Sequence, residues 1–207
     1  MNITDLLDVR RLLEDIAEGY VTRRHHPEDP SMVIYNYTPK AQNERSWTRE
    51  TTTCRGLIVD GSGTVVARPL RKFFNFGEHL RPESSLTLWS DTPVDVYDKV
   101  DGSLGILYTA PDGLPAIATR GSFASEQAVH ATQVLRRTYP TWRAATGYTD
   151  LFEIIYPDNQ IVLDYAGLDD LVYLGSVRND TGNFFPEYRT DWTGPRAVRI
   201  AHGITLE

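Results

Sequence analysis

Residues 96–105 have the sequence VYDKVDGSLG and contain the clearest structural signal in the chain. The apolar and aromatic residues before Lys99 are typical of a β-strand. The turn sequence Asp101-Gly102-Ser103 then leads the chain into a second strand, 104–109. This stretch predicts two successive strands joined by a turn, with Lys99 at the end of the first one.

The rest of the chain repeats this pattern of short strands and tight turns. Runs rich in β-branched and aromatic residues are separated by turn sequences such as Gly61-Ser62-Gly63, Pro111-Asp112-Gly113 and Pro157-Asp158-Asn159. The predicted strands are 32–37, 56–60, 64–68, 94–98, 104–109, 115–119, 151–155, 160–165 and 171–177. Many strands with few helices indicate an α+β fold of mainly antiparallel sheets.

Two flanking helices are predicted. Apolar residues at near-helical spacing predict an amphipathic helix over 3–20, capped by Thr4, inside a helical N-terminal lead-in of residues 1–30. Residues 124–138 predict a second helix, with Ser122 as its N-cap. The chain contains neither a Gly-x-Gly-x-x-Gly sequence nor a Gly-Lys-Ser/Thr loop, which excludes the two common glycine-rich phosphate-binding motifs.

Composition indicates one ordinary globular domain. The 207 residues are 41% apolar and 24% charged, and no apolar run approaches the roughly 18–20 residues that span a bilayer. The acidic, amphipathic N-terminus does not resemble a secretory signal, and the single cysteine, Cys54, forms no internal disulfide. We therefore expect a cytoplasmic protein with no membrane partner. The histidines lack metal-ligand spacing, which argues against a structural zinc site.

The charge is unevenly distributed along the chain. The net charge of −7 argues against a protein that coats DNA. Residues 40–81, however, carry eight Arg and Lys against four acids, whereas residues 148–191 carry nine acids against two arginines. This asymmetry permits a phosphate-binding face on an acidic body, and the alternative is an unevenly charged solvated surface.

Lysine is rare in the chain, which draws attention to Lys99. Only Lys40, Lys72 and Lys99 occur beside 18 arginines. A lysine amine can lose its proton and act as a nucleophile, which a guanidinium cannot do. Asp98 and Asp101 flank Lys99 and could hold a divalent cation next to a phosphoryl group. The alternative is a surface lysine that precedes a turn.

Five stretches in a fixed order resemble a known family, the covalent nucleotidyltransferases, and among them the RNA ligase 1 type of the T-even bacteriophages. The first motif of that family, Lys-x-Asp-Gly-Ser, matches Lys99–Ser103. The other four matches are Cys54–Asp60 (CRGLIVD), Arg68–Glu78 (RPLRKFFNFGE), Arg120–Glu126 (RGSFASE) and Leu151–Val162 (LFEIIYPDNQIV). The ordered series is far more specific than any single match.

The resemblance implies a fold and an activity. The fold is an ATP-grasp-like nucleotidyltransferase domain covering 1–207, in which a few helices flank antiparallel sheets. In the implied reaction, Lys99 takes AMP from ATP with Mg²⁺ or Mn²⁺, and AMP then passes to an RNA 5′-phosphate. A 3′-hydroxyl finally seals the end, so that RNA ends are the expected partners and RNA repair is the expected context.

The resemblance also implies roles for individual residues. Lys99 is the expected catalytic nucleophile, and Asp101 and Glu153 are the expected metal ligands. Lys72 is expected to contact the leaving pyrophosphate, with Arg71 as a near-equal alternative. The residues expected to bind the nucleotide are Arg55, Lys72, Phe74, Asp101, Gly102, Arg120 and Glu153. A nucleotide pocket between two antiparallel sheets is expected, because charged side chains here lie beside apolar strand residues. The residues expected to converge on it are Lys99, Arg55, Lys72, Arg120 and Glu153.

One departure from the family pattern changes the expected activity. The family closes its site with an acidic residue before Gly (motif IV) and a Lys-x-Lys (motif V). No lysine follows Lys99 and no motif IV is recognisable between Val177 and Glu207. We therefore expect the last strands of the family domain to be missing, with the 179–207 tail or a partner chain covering the exposed edge. The 207 residues are expected to bind ATP weakly and to transfer AMP slowly or not at all.

Two other functions remain as alternatives. A degenerate domain of the same fold would bind nucleotides or RNA ends without catalysis, consistent with the missing Lys-x-Lys. A DNA ligase or a capping guanylyltransferase is less favoured, because the stretches 55–78 and 151–162 resemble RNA ligase 1.

Overall fold

The computed structural model describes residues 1–75, 93–159 and 161–204. Its first sheet is antiparallel with the order β1-β2-β3-β4. The strands are β1 (Val21–His25), β2 (Val33–Tyr37), β3 (Arg55–Val59) and β4 (Val65–Ala67). The Asp60–Gly63 turn joins the last two strands, with the Gly63 amide bonded to the Asp60 carbonyl. The predicted strands 32–37, 56–60 and 64–68 are confirmed, and β1 was not predicted.

A second antiparallel sheet has the order β10-β9-β8-β6-β7. Its strands are β6 (Ser103–Thr109), β7 (Pro115–Thr119), β8 (Tyr148–Ile155), β9 (Asp170–Arg178) and β10 (Phe184–Phe185). A separate two-stranded ribbon pairs β5 (Val94–Tyr97) with β11 (Arg199–Ile204). The tail thus covers the β9 edge over two residues and also supplies a partner for β5.

The two sheets pack face to face, and helices cover their outer faces. The core between the sheets contains Ile34 and Ile58 from the first sheet and Ile106, Leu151 and Val177 from the second. Alternate residues of the second sheet point the other way, where Leu107, Ile117 and Phe152 pack under α5 (Glu126–Thr138). The period of two along each strand thus produces a layered fold with three hydrophobic clusters.

The predicted N-terminal helix is divided in two. The structure has α1 (Ile3–Leu6) and α2 (Val9–Ala17). The backbone is extended at Leu7 and Asp8, and the Asp8 carboxylate accepts hydrogen bonds from the amides of Arg10 and Arg11 at the start of α2. The predicted cap Thr4 is wrong, since Asn2 caps α1. The third cluster lies under these two helices, on the outer face of the first sheet, and includes Leu12 and Leu57.

Other sequence predictions were also corrected by the structure. The second helix begins at Glu126, and its N-cap is Ser125 rather than Ser122, because the Ser125 hydroxyl accepts from the Ala128 amide. Residues 161–165 of the predicted strand 160–165 form no strand, and Gln160 lies outside the described residues. Two five-residue helices, α3 (Pro39–Asn43) and α4 (Arg49–Thr53), were not predicted. No helix among the described residues is long and apolar enough to cross a membrane.

Candidate nucleotide-binding site

A polar cleft of about 640 Å³ opens between the two sheets. It lies where β2 ends and β3 begins in one sheet, and where β6 begins and β7 ends in the other. Three arginines line it, Arg24, Arg55 and Arg120, and none of the described lining residues is acidic. A concave site with several fixed positive charges favours an anionic ligand such as a phosphate group.

Tyr37 connects two of these arginines. The Arg120 guanidinium donates a hydrogen bond to the Tyr37 hydroxyl over 3.0 Å and lies 5.0 Å from the ring centroid. Burial lowers the pKa of Arg55 below its usual value, and the Arg120 charge lowers it further, whereas Tyr37 and Glu153 act in the opposite direction. The two cations are therefore held close together, an arrangement that an anion would stabilise.

The backbone geometry at residue 56 requires the glycine that follows Arg55. Its φ is +99°, in the region that favours glycine. A Cβ there would overlap Ile106 Cδ1 and lie 3.3 Å from the Arg120 carbonyl oxygen. The Arg-Gly pair therefore lets the two sheets approach closely where both arginines reach the cleft.

Lys99 lies just outside the cleft, three residues before Gly102, which lines it. The lysine side chain is 86% exposed, and its ammonium lies 3.6 Å from Asp101 Oδ1. It follows β5, as the sequence predicts. The Lys99 amine is therefore exposed to solvent beside a cleft lined by arginines.

The turn formed by residues 99–103 (the Lys99 turn) is hydrogen-bonded to Glu153 on β8. The Gly102 amide donates to Glu153 Oε1 over 2.9 Å. Burial raises the pKa of Glu153 above its usual value, while the Gly102 hydrogen bond and the Lys99 charge partly oppose this shift. A Cβ on Gly102 would lie 2.5 Å from the Ile154 carbonyl oxygen, so only glycine brings the backbone this close to β8.

Asp101 connects the Lys99 turn to the loop after β8 that contains residues 161–165. Its Oδ2 accepts from the amides of Val162 and Leu163 over 2.8 and 3.3 Å, and its own amide donates to the Tyr165 hydroxyl over 2.6 Å. These backbone hydrogen bonds and the Lys99 charge lower the pKa of Asp101 below its usual value. The Asp101 carboxylate therefore organises the two loops.

Asn159 makes a second connection to the same turn. The Ser103 hydroxyl donates to Asn159 Oδ1 over 3.2 Å, and Asn159 Nδ2 donates to the Ile154 carbonyl over 2.9 Å. The sequence indicated Asn159 only as part of a turn and of a motif match, and Tyr165 was not predicted to lie at the site. A polar residue shortly after a buried strand, as Asn159 is after β8, was the available signal for the first. No local signal identified the second.

Lys72 and Phe74 lie in a group of aromatic rings that extends from the cleft. The Lys72 ammonium is 4.2 Å from the Phe74 ring centroid and donates to the Phe73 carbonyl over 2.6 Å. Trp47 lies between Phe74 and Tyr37, with ring centroids 5.5 and 5.2 Å away. Neither Lys72 nor Phe74 is among the cleft-lining residues. The end of the matched stretch, Phe76–Glu78, lies outside the described residues.

The carboxylates can contribute to a metal site but do not form one alone. Among the described residues no three His, Cys, Asp or Glu side chains are grouped to hold an ion. Asp101 Oδ2 and Glu153 Oε1 accept hydrogen bonds from backbone amides. The remaining carboxylate oxygens are Asp101 Oδ1, which lies 3.6 Å from the Lys99 ammonium, and Glu153 Oε2. One or two carboxylates suit a magnesium ion that takes its other ligands from water and substrate phosphates.

A second open groove, of about 820 Å³, lies elsewhere between residues of β4, β6, β8 and β9. Met1, Thr109, Tyr148 and Arg178 are among the residues that line it, and it includes none of the predicted site residues. Size alone therefore does not identify the candidate site. The cleft of about 640 Å³ is the candidate because three arginines line it.

Comparison with known proteins gives a consistent result. A family model described as RNA ligase matches residues 53–194. RNA ligase 1 of bacteriophage TS2126 is 30% identical over 167 residues, covering 75% of this chain and 41% of that protein. The RNA ligase of Rhodothermus phage RM378 is 26% identical over 170 residues, covering 63% of this chain and 39% of that protein.

A solved structure has the same fold. An archaeal ATP-dependent RNA ligase, form 2, superposes with a TM-score of 0.60 at 15% identity, covering 95% of this chain and 51% of that one. This likeness confirms the predicted fold class. The matched part of this chain spans between 29% and 41% of the length of the curated relatives.

Proposed function

Because this chain belongs to the RNA ligase family whose model matches residues 53–194, we propose that it is the adenylyl-transferring part of an ATP-dependent RNA ligase. The observation that carries this proposal is the position of Lys99. It is the exposed lysine of a Lys-x-Asp-Gly-Ser turn whose Gly102 and Ser103 line a cleft that contains three arginines and no described acid.

Lys99 is the nucleophile in this proposal. Its neutral amine attacks the α-phosphorus of ATP, so that an N–P bond forms while the bond to the pyrophosphate oxygen breaks. The proton of the amine passes to water, which the exposure of the side chain permits. Asp101 and Glu153 hold the turn from two sides, and a fixed turn lowers the entropic cost of bringing the amine to phosphorus.

The arginines stabilise charge on the nucleotide. Arg55 and Arg120, which Tyr37 holds close together, are the proposed contacts of the reacting phosphate. Lys72 is the proposed contact of the leaving pyrophosphate, and Phe74, which lies beside it, is the proposed adenine-stacking residue. Arg71 remains the alternative to Lys72.

Asp101 and Glu153 are the proposed protein ligands of Mg²⁺ or Mn²⁺, each through its remaining carboxylate oxygen. A bound divalent ion would neutralise charge on the substrate phosphates. In the second half of the proposed reaction, AMP passes from Lys99 to an RNA 5′-phosphate, and a 3′-hydroxyl then displaces AMP.

The test is a chase experiment. The protein is incubated at length with ATP labelled at the α-phosphate, freed of nucleotide, and given a 5′-phosphorylated RNA. We expect label to leave the protein and to appear on the RNA 5′ end, whereas a 5′-hydroxyl RNA of the same sequence takes none. Binding of ATP and RNA without any protein-bound AMP would instead identify the non-catalytic binding module. Transfer to 5′-phosphorylated DNA in preference to RNA would contradict the substrate.

A further inference from the structure

A short segment leads outward from the arginine cleft. The Arg55 guanidinium donates to the Leu70 carbonyl over 3.3 Å and lies 5.0 Å from the Phe73 ring centroid. Further along, the Lys72 amide donates to the Thr52 carbonyl over 2.7 Å, which fixes the segment beside α4. Residues 70–73 therefore run continuously from a cleft-lining arginine to the surface of the short helix.

Positive charge accumulates along this segment. Arg71 lies in the segment that the hydrogen bond from Lys72 to Thr52 fixes beside α4, and Arg49 is the first residue of that helix. Burial lowers the pKa of Arg68, and the charges of Arg71 and Arg49 lower it further, so both lie near the Arg68 guanidinium. The Arg68 guanidinium is held in this position, because its Nη1 donates hydrogen bonds to the carbonyls of Asn179 and Asp180. Arg49 and Arg71 are exposed and form no ion pair within the described part of the chain. Such a group of like charges is stabilised by an external anion.

An exposed aromatic ring lies between this positive charge and the cleft. Phe73 is 59% exposed although it is a large apolar residue. Its ring is held in place by the Arg55 guanidinium. A positively charged track with a fixed, exposed aromatic face is the combination that binds single-stranded nucleic acid, in which phosphates contact the cations and a base stacks on the ring.

We propose that single-stranded RNA binds along an outer strip formed by Arg49, Arg71 and Phe73, with its 5′ end directed toward the cleft. The proposal rests on the proposed function for the identity of the nucleic acid. Arg49 and Arg71 contact backbone phosphates, and Phe73 stacks on a base near the 5′ end. The strip thereby holds the RNA while its terminal phosphate reaches the nucleotide on Lys99.

The test measures RNA affinity without catalysis. A 5′-phosphorylated single-stranded RNA of about ten nucleotides, a length within the range of known single-strand sites, carries a fluorophore at its 3′ end. Its anisotropy is measured with the full chain, without ATP, over a series of salt concentrations. The variants are Arg49→Ser, Arg71→Ser and Phe73→Ala. Arg137→Ser, at an exposed arginine on α5 behind the second sheet, is the matched control.

The expected effects differ between the two kinds of contact. Loss of one phosphate contact should lower the slope of log affinity against log salt by about 0.7, equivalent to about eightfold weaker binding at roughly 50 mM salt. Phe73→Ala should weaken binding about tenfold while leaving the salt slope unchanged. Arg137→Ser should bind as the unsubstituted protein does. Thermal unfolding of each variant checks that it is folded.

Several results would overturn the proposal. Affinities and slopes of Arg49→Ser and Arg71→Ser that equal the Arg137→Ser control would do so. The absence of salt-dependent RNA binding by the unsubstituted chain would also overturn it. So would an acidic peptide that binds as tightly as the RNA, if Phe73→Ala also leaves RNA affinity unchanged.

A parallel measurement separates this proposal from the ligase proposal. AMP transfer to the protein is followed with ATP alone, where Arg49→Ser should match the unsubstituted chain. If no AMP is transferred but the strip variants lose RNA affinity, the ligase proposal fails and the strip is retained. If AMP transfer occurs but the strip variants bind RNA normally, the strip fails and the ligase proposal is retained.

Discussion

Glu153 is the residue whose ionisation most directly connects stability with function. It lies on β8 with Leu104 and Val172 opposite it on the neighbouring strands, and burial there raises its pKa. The folded protein therefore holds this proton more tightly than the unfolded chain does. The resulting stability is present below the usual glutamate pKa and is lost as pH rises through the raised value.

Glu153→Gln should remove this pH dependence while retaining an acceptor for the Gly102 amide. We expect the variant to gain stability relative to the unsubstituted protein at about pH 7, with a much smaller difference at about pH 4. Its AMP transfer should fall, because the carboxylate is lost. Urea unfolding at both pH values measures the first effect. An equal difference in unfolding free energy at both pH values would show that the Glu153 carboxylate does not titrate as described.

At the scale of single residues, the sequence singled out those that belong to short motifs. Arg55, Gly102 and Arg120, which short motifs with distinctive residue types singled out, line the cleft, and their roles in nucleotide binding remain predictions. Tyr165 was missed, because its contact with Asp101 joins residues 64 apart in the sequence and depends on the path of an irregular loop. Roles for Lys72 and Phe74 remain predictions.

At the scale of elements, the loop after β8 determines the shape of the Lys99 turn. The Asp101 amide and carboxylate are both bound to this loop, through Tyr165 and through the amides of Val162 and Leu163. The predicted strand 160–165 was wrong over residues 161–165, and Gln160 lies outside the described residues. Apolar side chains there suggested a strand, but Val162 is 76% exposed and the loop's amides pair with the Asp101 side chain.

Tyr165→Phe should slow AMP transfer about three- to tenfold, which corresponds to the loss of one hydrogen bond that positions the turn. ATP affinity should not change, because Tyr165 is not among the residues that line the cleft. Single-turnover labelling at several ATP concentrations separates the two quantities. Tyr156→Phe is the control, since its hydroxyl makes no hydrogen bond to any described residue and its ring stacks on His130. Equal rates for both variants would remove the positioning role.

At the scale of the whole molecule, the cleft lies between two antiparallel sheets that pack face to face, with Gly56 at the contact. Alternating apolar residues predicted the sheets, and charged residues beside apolar strand residues predicted a pocket between them. Of the five charged residues expected there, Arg55 and Arg120 line the cleft. Neither pattern could indicate the β5–β11 ribbon, because Val198 and Ile200 are exposed and their placement depends on long-range pairing across about 100 residues.

The overall rate is also a property of the whole molecule. The other lysines of this sequence are Lys40 and Lys72, and neither is among the residues that line the cleft. We expect slow AMP transfer and weak ATP binding, because less positive charge is positioned at the departing pyrophosphate. Rate and affinity come from time courses of labelling at increasing ATP. A fast rate with tight ATP binding would mean that the arginines supply this charge by themselves.

The most direct test of the central claim is to locate AMP on the protein. After a long incubation with ATP and Mg²⁺, the digested chain is sequenced by tandem mass spectrometry under conditions that preserve the acid-labile N–P bond. The account predicts one AMP per chain, on Lys99, and none in Lys99→Arg, which keeps the charge but has no free amine. AMP on another residue, or undiminished labelling of Lys99→Arg, would contradict it.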